Sequence, residues 1–317
     1  MSKALYYSEQ PLKILKLSED SIGDYFEAFP CNWDNFKRAA DRCNFKRMVV
    51  SESLLAAHNL SVLGNGDQVV VLGHGFGSDQ SMWKYVVPSL LSNNFRVVLY
   101  DLMGASTTDA NNFSFKRYTS LQSFADDLLA ILDELEIESC VYVGHSISGM
   151  IGCLASLEKP DIFQKLILLG ASPRYLNDTN YHGGFEQHDL DQMYANMKSN
   201  FRTWVSGFAP AALGAHIDNR AVQDFSRTLS SMRPDIAFSI SQIIFQSDLR
   251  SILPQVTVPC HILQSMKDLA VPVEVAEYLN SNLGGWTSIR ILQTEGHIPQ
   301  LSSPELVIPV LLRCIED

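Results

Sequence analysis

The sequence predicts an α/β fold with a mostly parallel sheet that is covered by helices on both faces. Short apolar runs of strand length alternate with amphipathic helical segments from about residue 57 onward. This alternation is typical of strand–helix–strand units, whose connecting helices cover the sheet. The runs at 68–73 and 165–170 are continuously apolar, as parallel strands buried on both faces are. The rhythm stops near residue 177 and resumes near 259, so a helical insertion over about 177–249 is predicted.

The individual elements follow from local patterns. The predicted strands are residues 57–63, 68–73, 96–101, 140–143, 165–170, 260–264 and 288–292. Glycines in the segment 64–67 indicate a hairpin turn between the first two strands. In the main layer, one helix is predicted to begin at Ser78, and others span 121–135, 147–157, 272–282 and 304–314. Four more helices are predicted in the insertion, at 187–199, 201–213, 221–232 and 234–245. Residues 1–47 show no clear period, and we expect a flexible extension, with a short helical appendage around 35–43 as the alternative, before a domain over 48–317.

Composition excludes several classes of protein. The chain has 317 residues, of which 46% are apolar and 19% charged, which fits a globular protein with a sizeable core. A net charge of −11 argues against non-specific nucleic-acid binding, which needs a basic surface. No apolar run is long enough to span a membrane, and the first residues lack the basic segment and apolar core of a secretory signal, so we expect neither. The six cysteines show no regular spacing, so we expect neither disulfides nor zinc and favour a reducing compartment.

The stretch 140–150 carries the first sign of chemistry. A short apolar run ends in Gly144-His145-Ser146, and a helical segment of small residues follows. This order is typical of a nucleophile elbow, a strand–turn–helix unit that exposes a strained serine. Small residues two positions either side relieve the crowding, and Gly144 and Ser148 occupy these places. Glycine is usual at the second place and the motif often arises by chance, so a flexible turn is the alternative reading.

The loops after the last two predicted strands supply an acid and a base. Asp268 follows the strand 260–264, and His297 follows the strand 288–292. Reactive groups of open α/β sheets lie beyond the carboxyl ends of the strands, so these two side chains and Ser146 are predicted to meet. Their order is the nucleophile–acid–base order of α/β hydrolases. A neutral imidazole takes the proton of the weakly nucleophilic serine, and the carboxylate holds the imidazole in the correct tautomer.

Two backbone amides are candidates for an oxyanion hole. Phe76 lies between glycines that let the backbone approach a ligand, and Ile147 begins a helix whose dipole favours negative charge. We expect both N–H groups to stabilise the oxyanion of an acyl transfer. His74 and His145 flank these positions and are expected to shape the site. No glycine-rich phosphate loop and no clustered histidine spacing occur, so neither a cofactor nor a metal site is predicted.

From about Met48 to its C-terminus the chain resembles the plant butenolide receptors, which comprise the karrikin-insensitive-two type and the related dwarf-fourteen strigolactone receptor. The motifs that carry the resemblance are GHGFGSDQ (73–80), GHSIS (144–148), GASPRY (170–175), YHGGFE (181–186), FSRTL (225–229), MRPD (232–235) and EGH (295–297). The segments 258–264 and 267–272 look more like the karrikin-insensitive type.

The resemblance implies an α/β-hydrolase fold under a V-shaped lid of four helices, and slow hydrolysis of butenolide ligands by the triad. It also implies signalling through an F-box protein of an SCF ubiquitin ligase and Clp-ATPase-like repressors. We expect the protein to act in the cytoplasm and nucleus and to be monomeric without ligand. The pocket positions carried over are Phe76, Tyr175, Phe185, Met193, Trp204, Phe208, Ile244, Phe245, Leu269 and Ala270. An aromatic lid suits a flat apolar ligand with one reactive carbonyl, although about half of these aromatic side chains are expected simply to pack helix on sheet.

Several features depart from the family's usual pattern. They are the extension 1–47, Gly149 in place of alanine, Ser241 in place of glycine, and Asn111-Asn112 in place of Pro-Asp. They leave open whether the ligand is karrikin-like or strigolactone-like. Two other functions remain compatible with the residues: an ordinary carboxylesterase without a signalling role, and a non-catalytic binding module that kept the fold.

Overall fold

The computed structural model describes residues 54–317, so the expected extension over 1–47 lies outside the described residues. The strands are β1 (Ser61–Leu63), β2 (Val69–Gly73), β3 (Arg96–Leu99), β4 (Cys140–His145), β5 (Phe163–Leu169), β6 (Cys260–Lys267) and β7 (Thr287–Glu295). They form one sheet in the order β1–β3–β2–β4–β5–β6–β7. Strand β1 pairs antiparallel with β3, and the other neighbouring pairs are parallel. The predicted mostly parallel sheet is therefore confirmed.

Helices surround this sheet. They are α1 (Leu54–Ala57), α2 (Val86–Ser92), α3 (Gln122–Glu134), α4 (Ile147–Glu158), α5 (Gln187–Ser199), α6 (Phe201–Leu213), α7 (Arg220–Ser230), α8 (Pro234–Phe245), α9 (Val273–Asn282), α10 (Pro299–Ser302) and α11 (Pro304–Glu316). Short 3₁₀ segments occur at Gln80–Trp83, Ala110–Asn112, Pro160–Ile162 and Arg250–Gln255. Every residue of β2 and β4 is buried, because the helical layers cover both faces, and this explains their unbroken apolar runs.

Register and close packing bring the two central strands to one point. Gly73 of β2 pairs with Gly144 of β4, so the loops that follow these strands leave the sheet side by side. Helix α4 lies close against β4, since a Cβ on Gly152 would come within 2.6 Å of the Tyr142 ring. The small residues of α4 are therefore needed for contact between helix and strand.

The insertion between β5 and β6 consists of helices α5 to α8, as the sequence predicts. Between residues 174 and 248 of the described chain, pairing of strand type is limited to isolated bridges. Helix α5 packs against α6 and α8, and α6 packs against α7. Side-chain caps begin three of these helices: Glu186 and Asp189 form a capping box on α5, Asn200 accepts the Thr203 N–H on α6, and Asn219 accepts the Ala221 N–H on α7. We call α5 to α8 the lid.

Two local predictions are wrong. Residues 57–63 do not form one strand, because α1 runs to Ala57 and a turn with a positive φ of 45° at Asn59 follows. The segment 64–67 is not a hairpin turn, because β1 pairs with β3 and not with β2. A Cβ on Gly64 or Gly66 would collide with the backbone carbonyls of Phe95 and Asn94, respectively. These glycines let two backbones cross closely, which local sequence does not distinguish from a tight turn.

The helix predicted from Ser78 is interrupted. Asp79 caps the 3₁₀ segment by accepting the Ser81 N–H at 2.8 Å, and α2 begins only at Val86. The neighbouring Gln80 N–H donates to the Asp101 carboxylate at 2.7 Å, which is a contact with the loop after β3. This long-range hydrogen bond holds the 3₁₀ turn at Gln80 against the loop that follows β3.

Candidate active site

The predicted elbow is present at the junction of β4 and α4. Ser146 has φ 56° and ψ −122°, a conformation that side chains rarely adopt. Its N–H donates to the Leu169 carbonyl at 2.8 Å, which anchors the turn to β5. A Cβ on Gly144 would collide with the Ser148 backbone, so strand and helix meet there without room for a side chain. The strained backbone directs the Ser146 side chain out of the sheet.

Ser146, His297 and Asp268 are hydrogen-bonded in series. His297 Nε2 lies 2.8 Å from Ser146 Oγ, and His297 Nδ1 lies 2.8 Å from Asp268 Oδ2. The carboxylate can only accept, so the imidazole proton lies on Nδ1 and Nε2 is free to accept the serine proton. The side chain of Asp268 is 1% exposed and that of His297 is 12% exposed. The arrangement is that of a serine nucleophile with its base and acid.

The buried Asp268 carboxylate is held by further donors. Its Oδ1 accepts the N–H groups of Ala270 at 2.8 Å and Val271 at 3.1 Å. Its Oδ2 accepts Gln264 Nε2 at 3.2 Å in addition to the imidazole. Four donors therefore surround an anion that is almost completely removed from water, which keeps it in place for the histidine.

The loop that carries His297 is fastened to the lid. The His297 N–H donates to the Ala212 carbonyl of α6 at 2.7 Å. The preceding Gly296 has φ 87°, and a Cβ there would collide with the backbone of Leu213. Glycine is needed here for both its conformation and its close approach. The base and the end of α6 therefore share a direct backbone contact.

His145 supports the same loop from beneath. Its Nε2–H donates to the His297 carbonyl at 2.7 Å, and the two rings lie 5.0 Å apart. Burial, followed by the nearby His297, lowers the pKa of His145 well below its usual range. The ring is therefore neutral near pH 7 and acts as a hydrogen-bond donor to the loop. Its role is structural, in line with the expectation that it shapes the site.

The two candidate oxyanion amides border the serine. Ile147 is the first residue of α4, where a backbone N–H has no acceptor within its own helix. Phe76 follows Gly75, whose Cβ position lies 3.1 Å from Ser146 Cβ and 2.6 Å from His145 Nδ1. The loop after β2 thus passes directly over the elbow. Both residues line the cavity into which Ser146 opens.

That cavity has a volume of about 570 Å³ and lies between the sheet and the lid. All the positions carried over from the resemblance lie on its wall, namely Phe76, Tyr175, Phe185, Met193, Trp204, Phe208, Ile244, Phe245, Leu269 and Ala270. The Phe245 ring packs edge-on against Tyr175 at 5.0 Å and Phe185 at 5.5 Å. Trp204 stacks on Phe208 at 4.8 Å, whereas Leu269 is 65% exposed. The size and lining suit a small ligand with a flat apolar body.

Sequence reasoning placed Tyr175 in the pocket but did not foresee its contact with the nucleophile. The Tyr175 hydroxyl lies 3.3 Å from Ser146 Oγ, and burial raises the pKa of this phenol, so it carries its proton. One side of the cavity is polar, with Asp189, Gln192, Asn196, Asn200 and Thr203 on or next to α5 and the start of α6. Their helical spacing on a lid segment is the signal that could have revealed them.

Within residues 54–317, no group of three or more potential ligands among His, Cys, Asp and Glu is placed to hold a metal ion. In the same part of the chain, no helix is both long and apolar enough to cross a membrane.

The comparison with known proteins agrees with this site. A family model described as the alpha/beta hydrolase fold matches residues 68–304. The chain belongs to the α/β hydrolase family. It is 60% identical to the karrikin insensitive 2 receptor CA of Petunia hybrida, over 82% of this chain and 96% of the relative. It is 59% identical to a probable esterase of Oryza sativa subsp. japonica, over 82% of this chain and 96% of the relative.

A more distant relative and a solved structure extend this result. The strigolactone esterase D14 of Arabidopsis thaliana is 50% identical, over 83% of this chain and 98% of its own length. The solved structure of a hydrolase from Oleispira antarctica is 31% identical with a TM-score of 0.81, and the match covers 86% of this chain and 100% of that one. This member of the α/β hydrolase family is therefore a hydrolase, and it is homologous to the karrikin insensitive 2 receptors and the strigolactone esterases.

Proposed function

We propose that this α/β hydrolase is a receptor that binds butenolide signalling ligands, karrikin-like or strigolactone-like, and hydrolyses them slowly. The observation that carries the proposal is the hydrogen-bonded Ser146–His297–Asp268 series at the floor of an aromatic cavity of about 570 Å³. A largely apolar, aromatic wall with one reactive serine suits a flat lactone that presents a single carbonyl. The names of the relatives, karrikin receptor and strigolactone esterase, support this ligand class.

The proposed reaction follows from the roles of the three side chains. Ser146 Oγ attacks the carbonyl carbon of the butenolide while His297 Nε2 takes the hydroxyl proton. The N–H groups of Phe76 and Ile147 hold the oxyanion that forms on the former carbonyl oxygen. The bond to the ring oxygen then breaks, His297 returns the proton to that oxygen, and an acyl-enzyme remains. Water, deprotonated by the same histidine, releases the acid and restores the serine.

The signalling half of the proposal concerns partners. By similarity to the karrikin insensitive 2 receptors, the liganded protein recruits an F-box protein of an SCF ubiquitin ligase and Clp-ATPase-like repressors in the cytoplasm and nucleus. The lid forms one side of the cavity and also faces solvent, so a ligand in the cavity would lie against an element that a partner can reach. A ligand-dependent pull-down of the F-box protein tests this half directly.

The ligand class is tested with matched panels. Purified protein is incubated with racemic synthetic strigolactone analogues and with karrikins, and both thermal shift and product are measured. The expected result is a shift and slow product formation with one class, and loss of product in Ser146→Ala. A folded protein that gives neither a shift nor product with both classes contradicts the proposal.

The carboxylesterase alternative makes different predictions, and the name of the rice relative, probable esterase, is the reason to test it. A metabolic esterase turns over simple esters such as p-nitrophenyl acetate rapidly and captures no F-box protein at any ligand concentration. Those two results together would identify the protein as a metabolic esterase and rule out the receptor function. If Ser146→Ala instead keeps full partner recruitment, the protein is a binding module whose signal does not depend on hydrolysis.

A further inference from the structure

Ser148 occupies the place where a nucleophile elbow usually has glycine, and the structure gives its hydroxyl a partner outside the elbow. Ser148 Oγ donates to the carbonyl of His74 at 2.5 Å. Ser148 is completely buried and His74 is 2% exposed, so this hydrogen bond is shielded from water. It joins the first turn of α4 to the loop after β2, which carries the Phe76 amide.

Two tyrosines support the Ser148 hydroxyl from the sheet. The hydroxyls of Tyr100 and Tyr142 are hydrogen-bonded to each other at 3.0 Å, and the Tyr142 hydroxyl lies beside Ser148 Oγ. Both tyrosines are completely buried. A Cβ on Gly73 would collide with the Tyr142 hydroxyl and lie 3.0 Å from Ser148 Oγ, so glycine is needed beside this cluster. Because the His74 carbonyl only accepts, Ser148 donates to it and is free to accept from a tyrosine.

The side chain of His74 fixes the next peptide. The Leu102 N–H donates to His74 Nε2 at 2.9 Å, so the ring proton lies on Nδ1. Nδ1–H then donates to the Gly75 carbonyl at 2.8 Å. The carbonyl and the following N–H of a trans peptide point in opposite directions. The ring therefore holds the Phe76 N–H on the side away from itself, and the orientation of that N–H depends on where His74 is held.

We propose that Ser148 is a positioning residue: through the His74 carbonyl, its hydroxyl and the two tyrosines behind it hold the Phe76 N–H where the oxyanion forms. This inference rests on the proposed function, in which that N–H is an oxyanion donor. It assigns a purpose to the serine that replaces the usual glycine. The oxyanion loop is tied to the nucleophile helix itself, so the donor and the nucleophile keep their spacing.

The test compares two serines of the same helix. Ser148→Ala removes the hydroxyl in question. Ser156→Ala is the matched control, because Ser156 is also buried on α4 and its hydroxyl donates only to Cys153 of its own helix, at 2.8 Å. Loss of an oxyanion donor lowers kcat by about 10²–10³. A donor that is misplaced but not removed is expected to cost about tenfold in kcat, with KM unchanged.

Two further readouts separate positioning from a general loss of structure. An arylboronic acid forms a tetrahedral adduct with the serine, and its affinity for Ser148→Ala is expected to fall by the same factor as kcat. Tyr142→Phe is expected to act in the same direction, and the double variant to lose less than the product of the two single losses, because both changes break one network. Tyr142→Phe also serves as the readout if Ser148→Ala does not fold.

The outcomes distinguish this inference from the function on which it rests. The positioning role is overturned if kcat of Ser148→Ala lies within twofold of the Ser156→Ala value. The proposed function stays intact in that case, provided that Ser146→Ala abolishes the hydrolysis seen in the wild type. Retention of hydrolysis by Ser146→Ala overturns the proposed function first. A fall in kcat without a matching fall in boronate affinity also contradicts the positioning role.

Discussion

Replacing Asp268 by asparagine tests the site through the tautomer of one histidine. Asp268 Oδ1 accepts two backbone N–H groups, from Ala270 and Val271, so the amide oxygen must take that place. The amide NH₂ then takes the place of Oδ2, 2.8 Å from His297 Nδ1. An NH₂ group can only donate, so Nδ1 must lose its proton and Nε2 must carry it. The base then faces Ser146 as a donor and cannot accept the serine proton.

The size of the effect follows from that change. A loss of about 10⁴ in kcat is typical when the acid of a serine triad becomes an amide, which is about 5.4 kcal/mol at 1.36 kcal/mol per decade. The substitution also places an NH₂ beside Gln264 Nε2, which lies 3.2 Å from Oδ2, so two donors then face each other. We expect Asp268→Asn to lower kcat by about 10³–10⁴ with little change in KM.

The assay is steady-state hydrolysis of p-nitrophenyl acetate, with thermal unfolding measured on the same samples. Asp133→Asn is the matched control, because it makes the same chemical change at a surface carboxylate that pairs with Lys159. Its activity should equal that of the wild type. An Asp268→Asn protein that is folded and keeps more than a tenth of wild-type kcat, while Ser146→Ala is inactive, refutes the assignment of Asp268.

Three other predictions concern the neighbours of the triad. In His145→Gln, the free energy of unfolding should depend less on pH below about 6.5. The buried histidine of the wild type stays neutral in the folded state, whereas it takes up a proton in the unfolded chain. Wild-type stability therefore falls by up to about 1.4 kcal/mol per pH unit as the solution becomes acidic. Trp204→Ala should lower the free energy of unfolding by about 3 kcal/mol and weaken ligand binding, because the indole is 8% exposed and lines the cavity. Gly296→Ala should lower both stability, by about 1–3 kcal/mol, and kcat, because its φ of 87° and the nearby Leu213 backbone leave no room for a Cβ.

The two stability predictions have control variants, the wild type is the reference for His145→Gln, and each of the three predictions has an outcome that contradicts it. Leu269→Ala changes a cavity residue that is 65% exposed, so its stability should stay within about 0.5 kcal/mol of the wild type in urea unfolding. Gly207→Ala places a Cβ in open space within α6 and should stabilise the fold by about 0.5–1 kcal/mol. Three results would be inconsistent with the structure. The first is an equal pH dependence of stability in wild type and His145→Gln. The others are a loss of stability in Trp204→Ala as small as that in Leu269→Ala, and a Gly296→Ala protein as stable as Gly207→Ala.

Much of the fold was predictable because its signals are local or periodic. Continuous apolar runs revealed the buried strands, and their alternation with amphipathic helices predicted the parallel sheet and the helical insertion. The positions of Asp268 and His297 after two strands predicted that they meet Ser146, since parallel strands end at the same edge. Their contacts with Ser146 therefore follow from order along the chain and sheet topology alone.

The parts that sequence reasoning missed depend on contacts between distant segments. Gly64 and Gly66 resemble a hairpin turn, but their purpose lies in the backbone before β3. Ser148 resembles a defect in the elbow, but its partner His74 is 74 residues away. The approach of Tyr175 to Ser146 depends on how the chain leaves β5. In each case a residue type was visible in the sequence and its neighbour was not.

The hydrogen bond from the His297 N–H to the Ala212 carbonyl couples the chemistry of this enzyme to the shape of its surface. A movement of α6 that breaks this bond also removes one restraint on the base. By reciprocity, a ligand that holds His297 in its working position would favour the position of α6 seen here by the same free energy. Through this bond, a ligand at the serine would also influence the surface that the end of α6 presents to solvent. A protein that binds the displaced lid would lower hydrolysis, and an inhibitor that fixes the histidine would weaken that protein's binding.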